Sequence, residues 1–160
     1  MHEKDIVLGL KARQEKAFGQ FYLQYKNLIY FIAFDILHDE EEAKDVLQDT
    51  LISVYQNIDD FSSGNFKAWF TTIAKRKALD KYRSKKHLEN LDIEPGVEDD
   101  HSFIFADLKK ILSDDEYLVL IYHAVYDIKH KDIAIMLDKP LGTITWLYQQ
   151  AIKKAKQELR

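Results

Sequence analysis

Eight bases lie within 66–86 (Lys67, Lys75, Arg76, Lys77, Lys81, Arg83, Lys85 and Lys86) against the single acid Asp80, a net charge of +7. Just upstream, 35–60 holds nine acids against Lys44 alone, a net charge of −8. The basic run can neutralise phosphates, each contact adding close to one unit of salt dependence to nucleic-acid binding. Tyr82 stands among these bases, and an aromatic ring beside cations can stack an unpaired base. The acidic run is suited to docking. At helical spacing Asp45, Gln48, Asp49 and Ile52 share one face, carboxylates beside an apolar contact, which fits a basic partner helix. Taken alone, each run reads equally well as a solvated helix face.

Catalytic chemistry finds less support. Asp35 with His38 and Asp127 with His130 have the i, i+3 spacing of carboxylate metal sites in helical bundles. Such sites need further carboxylates in the same core, and these pairs stand at predicted helix ends, far apart in sequence. No Gly-rich phosphate loop or nucleophile elbow is present. The chain has no cysteine, which excludes disulfides and thiolate chemistry. His123 reads as an ordinary packed or surface histidine. The expectation is a non-enzyme without metal or cofactor.

The elements that must position these residues are helical. Only five glycines and two prolines punctuate 160 residues, and the apolar period is 3.6 rather than 2. Helices are expected over about 3–15 and 16–37, the second with Phe18, Phe21, Tyr22, Tyr25, Leu28, Ile29, Ile32 and Ile36 on one stripe. Asp39 and Glu42 predict a capping box for the acidic helix, which buries Ala43, Val46, Leu47, Thr50, Leu51 and Val54. The Ser/Gly/Asn cluster at 62–65 is a loop. The basic helix then buries Phe66, Trp69, Phe70, Ile73 and Ala74 and ends near Arg83. Residues 88–102 read as a flexible acidic linker, with six acids, no base and a Pro-Gly pair in 88–100. Beyond it, Ser113 and Glu116 make a second capping box for a helix carrying Leu118, Leu120, Ile121 and Val125. Turns at Asp127 and Asp138 follow, then a long helix over about 141–159, the outline of a helix-turn-helix. The fold class is therefore all-α, with two small helical domains over 1–87 and 103–160. No stretch resembles a signal core or approaches the ~18 apolar residues of a membrane span, so a soluble cytoplasmic protein is expected.

These residues in this order resemble a known family. EAKDVLQDTL over 42–51, Phe61, AWFTTIA over 68–74, Asp80 and Arg83 are similar to region two of bacterial sigma factors, most of all the short extracytoplasmic-function type. Ala17, Phe18, Tyr22 and Tyr25 fit the start of that region. LSDDE over 112–116, Asp132-Ile-Ala134 and Gly142-Thr-Ile144 with Ala151 resemble region four. The resemblance implies that Asp45, Gln48, Asp49 and Ile52 bind the β′ clamp helices of core RNA polymerase. It implies that Ser62, Ser63, Asn65, Lys75, Arg76, Lys77, Asp80 and Arg83 recognise and melt the promoter minus-ten element. Thr143, Thr145, Trp146, Gln149, Gln150 and Lys153 would read the minus-thirty-five duplex, with the β flap as the polymerase contact of that domain. An anti-sigma factor is a common partner in that family. The sequence departs from the pattern at Arg76, where Asn is usual, and at Asp127 and Asp138, where Gly is common. The reading helix also lacks early bases, running Thr145-Trp-Leu-Tyr-Gln-Gln150, in which Trp146 or Leu147 is placed to touch thymine methyls. A helix-turn-helix regulator without polymerase, or a protein-interaction module using Trp146 and Leu147, are the alternative readings.

Overall fold

The computed structural model describes residues 1–89 and 103–158, and among them there are helices and no strands. Two compact units, Met1–Gly96 and Val97–Arg160, divide the chain. Of the expected linker over 88–102, residues 90–102 lie outside the described ones.

In the first unit, α1 (Glu3–Lys11) is shorter than the sequence suggested, because the chain reverses through Arg13 in the left-handed region at φ 58°. The Gln14 amide donates back to the Gly9 carbonyl at 2.9 Å. Gly9 itself has no room for a Cβ, which would collide with the Ala17 side chain of α2 (Glu15–Leu37). Glycine therefore allows the closest approach of these two helices.

The α3 helix (Glu40–Asn57) is capped by Asp39, whose carboxylate accepts from the Glu42 amide at 2.9 Å. The expected box closes only in this direction. The Glu42 carboxylate turns instead to Lys85 Nζ at 3.3 Å, on α4 (Phe66–Glu89). The Glu42 carboxylate thus serves a tertiary ion pair rather than the local cap. It also helps explain why α4 runs on beyond the end expected near Arg83 and takes in residues 88 and 89.

The core of this unit is aromatic. Phe21 and Tyr25 of α2 meet Phe66 and Phe70 of α4 at ring separations of 4.8 to 6.3 Å, mostly tilted or edge-on. Such pairs add roughly 0.5–1.5 kcal/mol beyond the area they bury. On the predicted α2 stripe Tyr22 is instead exposed, while Ala17, Ala33 and Leu37 join the buried set. A second seam, of Ala33, Ala43, Val46 and Ala78, brings α2, α3 and α4 together through small side chains.

In the second unit α5 (Phe103–Ile111) leads to α6 (Asp114–Ala124), whose capping box forms in full: Ser113 and Glu116 bond each other's amides at 2.9 and 3.2 Å. The Glu116 carboxylate also receives Lys154 Nζ at 2.8 Å from α8 (Leu141–Glu158), although Glu116 is only 4% exposed. Burial alone would raise this carboxyl, but the bonds from Lys154 and Ser113 hold it below the ordinary range. Val125, expected on the buried side of α6, is exposed; Tyr117, Val119 and Tyr122 fill that side instead. The α7 helix (His130–Leu137) completes the unit. Asp127 and Asp138 flank it in the left-handed conformation, both at φ 53°, which Asp tolerates better than most residues.

Replacing Phe70 by Ala should cost about 3–5 kcal/mol of stability in the first unit, through lost burial and a cavity among the rings. Urea unfolding of the full chain, followed by a probe in α2, measures it. A loss below about 1 kcal/mol would mean the aromatic cluster does not hold this unit together.

Candidate functional site

The acidic and basic helices lie against each other in antiparallel fashion, since Asp45 pairs with Lys81 at 3.1 Å and Glu42 with Lys85 at 3.3 Å. Helical spacing puts Lys81 and Lys85 on the side of α4 that carries the buried Ala74 and Ala78. These two bases are therefore turned towards α3. Lys75, Arg76, Arg83 and Lys86 fall outside that side, and all four are exposed. The basic run is thus two sets of charges, one paired with α3 and one exposed, which a count along the sequence does not separate. Tyr82 joins the outward set, with Lys86 Nζ 6.0 Å from its ring centre, so aromatic and cationic groups stand side by side. Asp80 is exposed as well and tempers this face, lying 3.9 Å from Arg83. Lys77 sits at the edge between the two sets, half-buried.

On α3 the predicted face is present. Asp45, Gln48 and Asp49 are exposed, and Ile52 beside them is 52% exposed. Val46, Thr50 and Val54 point the other way into the core, and the Thr50 hydroxyl donates to the Val46 carbonyl at 2.7 Å. Of the two central carboxylates, Asp45 is shared with Lys81, while Asp49 makes no ion pair among the described residues.

The loop over 62–65 joins a single 3-10 turn, Ile58–Asp60, to α4. Its two ends are anchored by Phe61 and Phe66, whose rings are 5.5 Å apart, with Trp69 packed on both. Gly64 takes φ 104°, a conformation that L side chains rarely adopt. Ser62 and Ser63 are exposed. Asn65 spends its side-chain oxygen on the Ala68 amide at 2.8 Å and so starts α4. This cap is a structural role that the sequence assignment of Asn65 to DNA did not include.

In the second unit α8 buries Ile144, Leu147 and Ala151, and this register decides what it shows. Thr143, Trp146, Gln149 and Lys153 form one exposed stripe at spacings of three and four, with Trp146 57% exposed. Thr145 and Gln150 are half-buried to the side, and Thr145 Oγ1 lies 3.4 Å from His130 Nδ1. Leu147, only 7% exposed, is a core residue and is not available to thymine or to a protein partner. An open groove of about 360 Å³ runs beside the stripe, lined by Tyr148, Gln149, Ile152, Lys153 and Lys156. Its cations come late in the helix, as the sequence indicated.

Sequence reasoning passed over one cluster. His123 of α6, His130 at the start of α7 and Tyr148 of α8 meet with ring separations of 4.4, 4.8 and 5.0 Å. The histidines stand seven positions apart, a spacing that signals nothing until the turn at Asp127 folds α7 back. Neither Asp-x-x-His pair gathers further ligands: no group of three or more His, Asp or Glu that could hold a metal occurs among the described residues. No described helix is long and apolar enough to cross a membrane.

Comparison with known proteins finds similar sequences and similar folds. Residues 21–88, which include α3, the loop and α4, match the family model described as Sigma-70 region 2. The chain is 26% identical to the extracytoplasmic-function RNA polymerase sigma factor SigW of Bacillus subtilis, over 98% of this chain and 96% of that one. It is 29% identical to the sigma factor SigK of Mycobacterium bovis, over 64% of this chain and 57% of the relative. Among solved structures, it shares the fold of CnrH, determined in complex with the cytosolic domain of CnrY, with a TM-score of 0.70 and 20% identity over 98% and 96% of the two chains. The Bartonella quintana sigma factor RpoE, in complex with the anti-sigma factor NepR, gives 0.67 and 22% over 90% and 97%.

Two neighbours on α8 should behave oppositely. Trp146→Ala should leave unfolding stability within about 0.5 kcal/mol, whereas Leu147→Ala should cost about 2–5 kcal/mol. Equal losses in denaturant titrations of the two variants would mean the register of α8 is wrong.

Proposed function

We propose that the chain is an extracytoplasmic-function sigma factor that binds core RNA polymerase and directs promoter recognition and melting, a reading supported by its match to the Sigma-70 region 2 model over residues 21–88 and its similarity to SigW over nearly its whole length. The observation that carries this reading is the pairing of faces on α3 and α4: an acidic face with one exposed isoleucine, and on the next helix an outward strip of bases with Tyr82. The acidic face docks on the β′ clamp helices through Asp45, Gln48, Asp49 and Ile52. Opposite charge speeds the encounter and fixes the register, and Ile52 adds apolar burial at the centre of the contact.

The outward strip then receives the displaced promoter strand. Melting costs unpairing and unstacking of bases, and Lys75, Arg76 and Arg83 on phosphates with Tyr82 on a base offset part of that cost. The 62–65 loop, anchored at both ends, offers Ser62 and Ser63 to an extruded base at the minus-ten element. Lys77 at the edge of the strip adds positive potential, and Asp80 limits how tightly the strand is held. In the second unit the stripe of Thr143, Trp146, Gln149 and Lys153 enters the major groove of the minus-thirty-five element. There Gln149 can pair with adenine, Trp146 can touch thymine methyls and Lys153 can neutralise a phosphate. Thr145 and Gln150 border this stripe, and the β flap engages the same unit. A net charge of −4 suits a protein whose polymerase supplies much of the attraction to DNA, and argues against a free duplex-binding regulator. An anti-sigma factor is the further partner proposed, in line with the NepR complex of the Bartonella relative.

Charge reversal of Asp45 and Asp49 together to Arg should abolish co-purification with core polymerase while circular dichroism stays at the wild-type level. Recovery of the double variant with core at normal yield would remove α3 from the interface. Replacing Lys75, Arg76 and Arg83 with Ala should lower the salt dependence of strand binding by roughly 0.7 units per lost contact. An unchanged slope in a promoter-melting assay would exclude this strip. Run-off transcription from genomic fragments tests the whole reading, and tight sequence-specific duplex binding by the free chain would favour the regulator instead.

A further inference from the structure

The second unit holds a half-buried polar cluster for which promoter recognition has no evident use. His130 opens α7 and is half-buried, its ring packed against the two other helices of the motif. From α6 it faces the His123 ring at 4.4 Å; from α8 it faces the Tyr148 ring at 5.0 Å and the Thr145 hydroxyl at 3.4 Å. His123 is oriented in turn, its Nδ1–H donating to the Ile128 carbonyl at 2.9 Å. The other ring nitrogen of His130, Nε2, is buried with no hydrogen-bond partner among the described residues. The charged groups nearest in sequence, Asp127, Lys129 and Lys131, are exposed, and Asp132 lies half-buried two residues along α7.

This arrangement accepts a neutral imidazole and resists a charged one. A second proton on His130 would put a cation against another histidine and leave a buried N–H without an acceptor. We propose that His130 is a proton-sensitive positioning residue, holding α7 against α8 in its neutral form and loosening the helix-turn-helix on acidification.

The direction follows from linkage. Burial, and then the neighbouring His123, lower the affinity of His130 for its proton relative to the ordinary value of 6.5. The unfolded segment therefore takes up the proton first. The stability contributed by this contact is fully present above pH 6.5 and is lost as pH falls through that value towards the lowered one. Because Thr145 and Tyr148 belong to the helix that presents Thr143, Trp146 and Gln149, the same event disorders the duplex-reading stripe. That consequence rests on the sigma-factor reading; the structural event does not.

Amide hydrogen exchange of α7 in the full-length chain, corrected for intrinsic rates, tests it without DNA or polymerase. Between about pH 7.5 and about pH 5.5, wild-type protection in α7 should fall by up to about tenfold. His130→Phe, which keeps a ring but cannot titrate, should lose less than half as much on a logarithmic scale. An equal fall in both proteins, or none in the wild type, would overturn the proposal. Should the variant fail to fold, ring-proton titration of His130 in the wild-type chain decides. A midpoint clearly below about 6.5 supports it, and one at or above that value overturns it. Failure here would leave polymerase binding and run-off transcription untouched, so the two readings fall separately.

Discussion

The N-terminal unit depends on how closely α3 and α4 can approach α2. Ala33, Ala43 and Ala78 meet at the seam with no exposed surface at all. Larger side chains there would hold the helices apart. Because they are close and antiparallel, acids on one helix come level with bases on the other, and each helix keeps one face turned outward. An acidic surface and a basic surface on one small domain follow from that geometry.

The ion pairs across the seam do not hold the domain together. Asp45 with Lys81 is substantially exposed, and exposed pairs contribute about 0–1 kcal/mol. The aromatic cluster of Phe21, Tyr25, Phe66 and Phe70 supplies far more. What the pairs do is allocate charge. Lys81 and Lys85 are spent on α3, which leaves Lys75, Arg76, Arg83 and Lys86 as the exposed cations of α4. Asp45 is partly compensated before any partner arrives, whereas Asp49 is not. The outward face of α3 is for that reason less negative, and that of α4 less positive, than the −8 and +7 of the sequence suggest.

The C-terminal unit applies the same logic with fewer charges. Ile144, Leu147 and Ala151 are buried against α6 and α7, and everything α8 shows to the outside is what that register leaves. The buried Glu116 ties the start of α6 to Lys154 late in α8. The histidine pair ties α6 and α7 to the middle of the same helix. A long helix thus has its exposed stripe of Thr143, Trp146, Gln149 and Lys153 aimed by contacts on its other sides, one of which is the contact proposed to respond to protons.

Periodicity, caps and breakers were enough to read most of the helices, because each is a relation between residues a few positions apart. The all-helical class, the outward face of Asp45, Gln48, Asp49 and Ile52, the loop at 62–65, the box of Ser113 with Glu116 and the turns at Asp127 and Asp138 all belong to this local kind. Where competition with distant residues decided, local reasoning failed. Glu42 left its cap for Lys85, and α4 outran its expected end. Val125 turned outward and Leu147 inward, and Thr145 and Gln150 came to lie half-buried beside the exposed stripe of α8. The pairing of His123 with His130 was invisible for the same reason. A helix repeat specifies which residues share a face; only the neighbouring helices determine which face is covered and which charges are already taken.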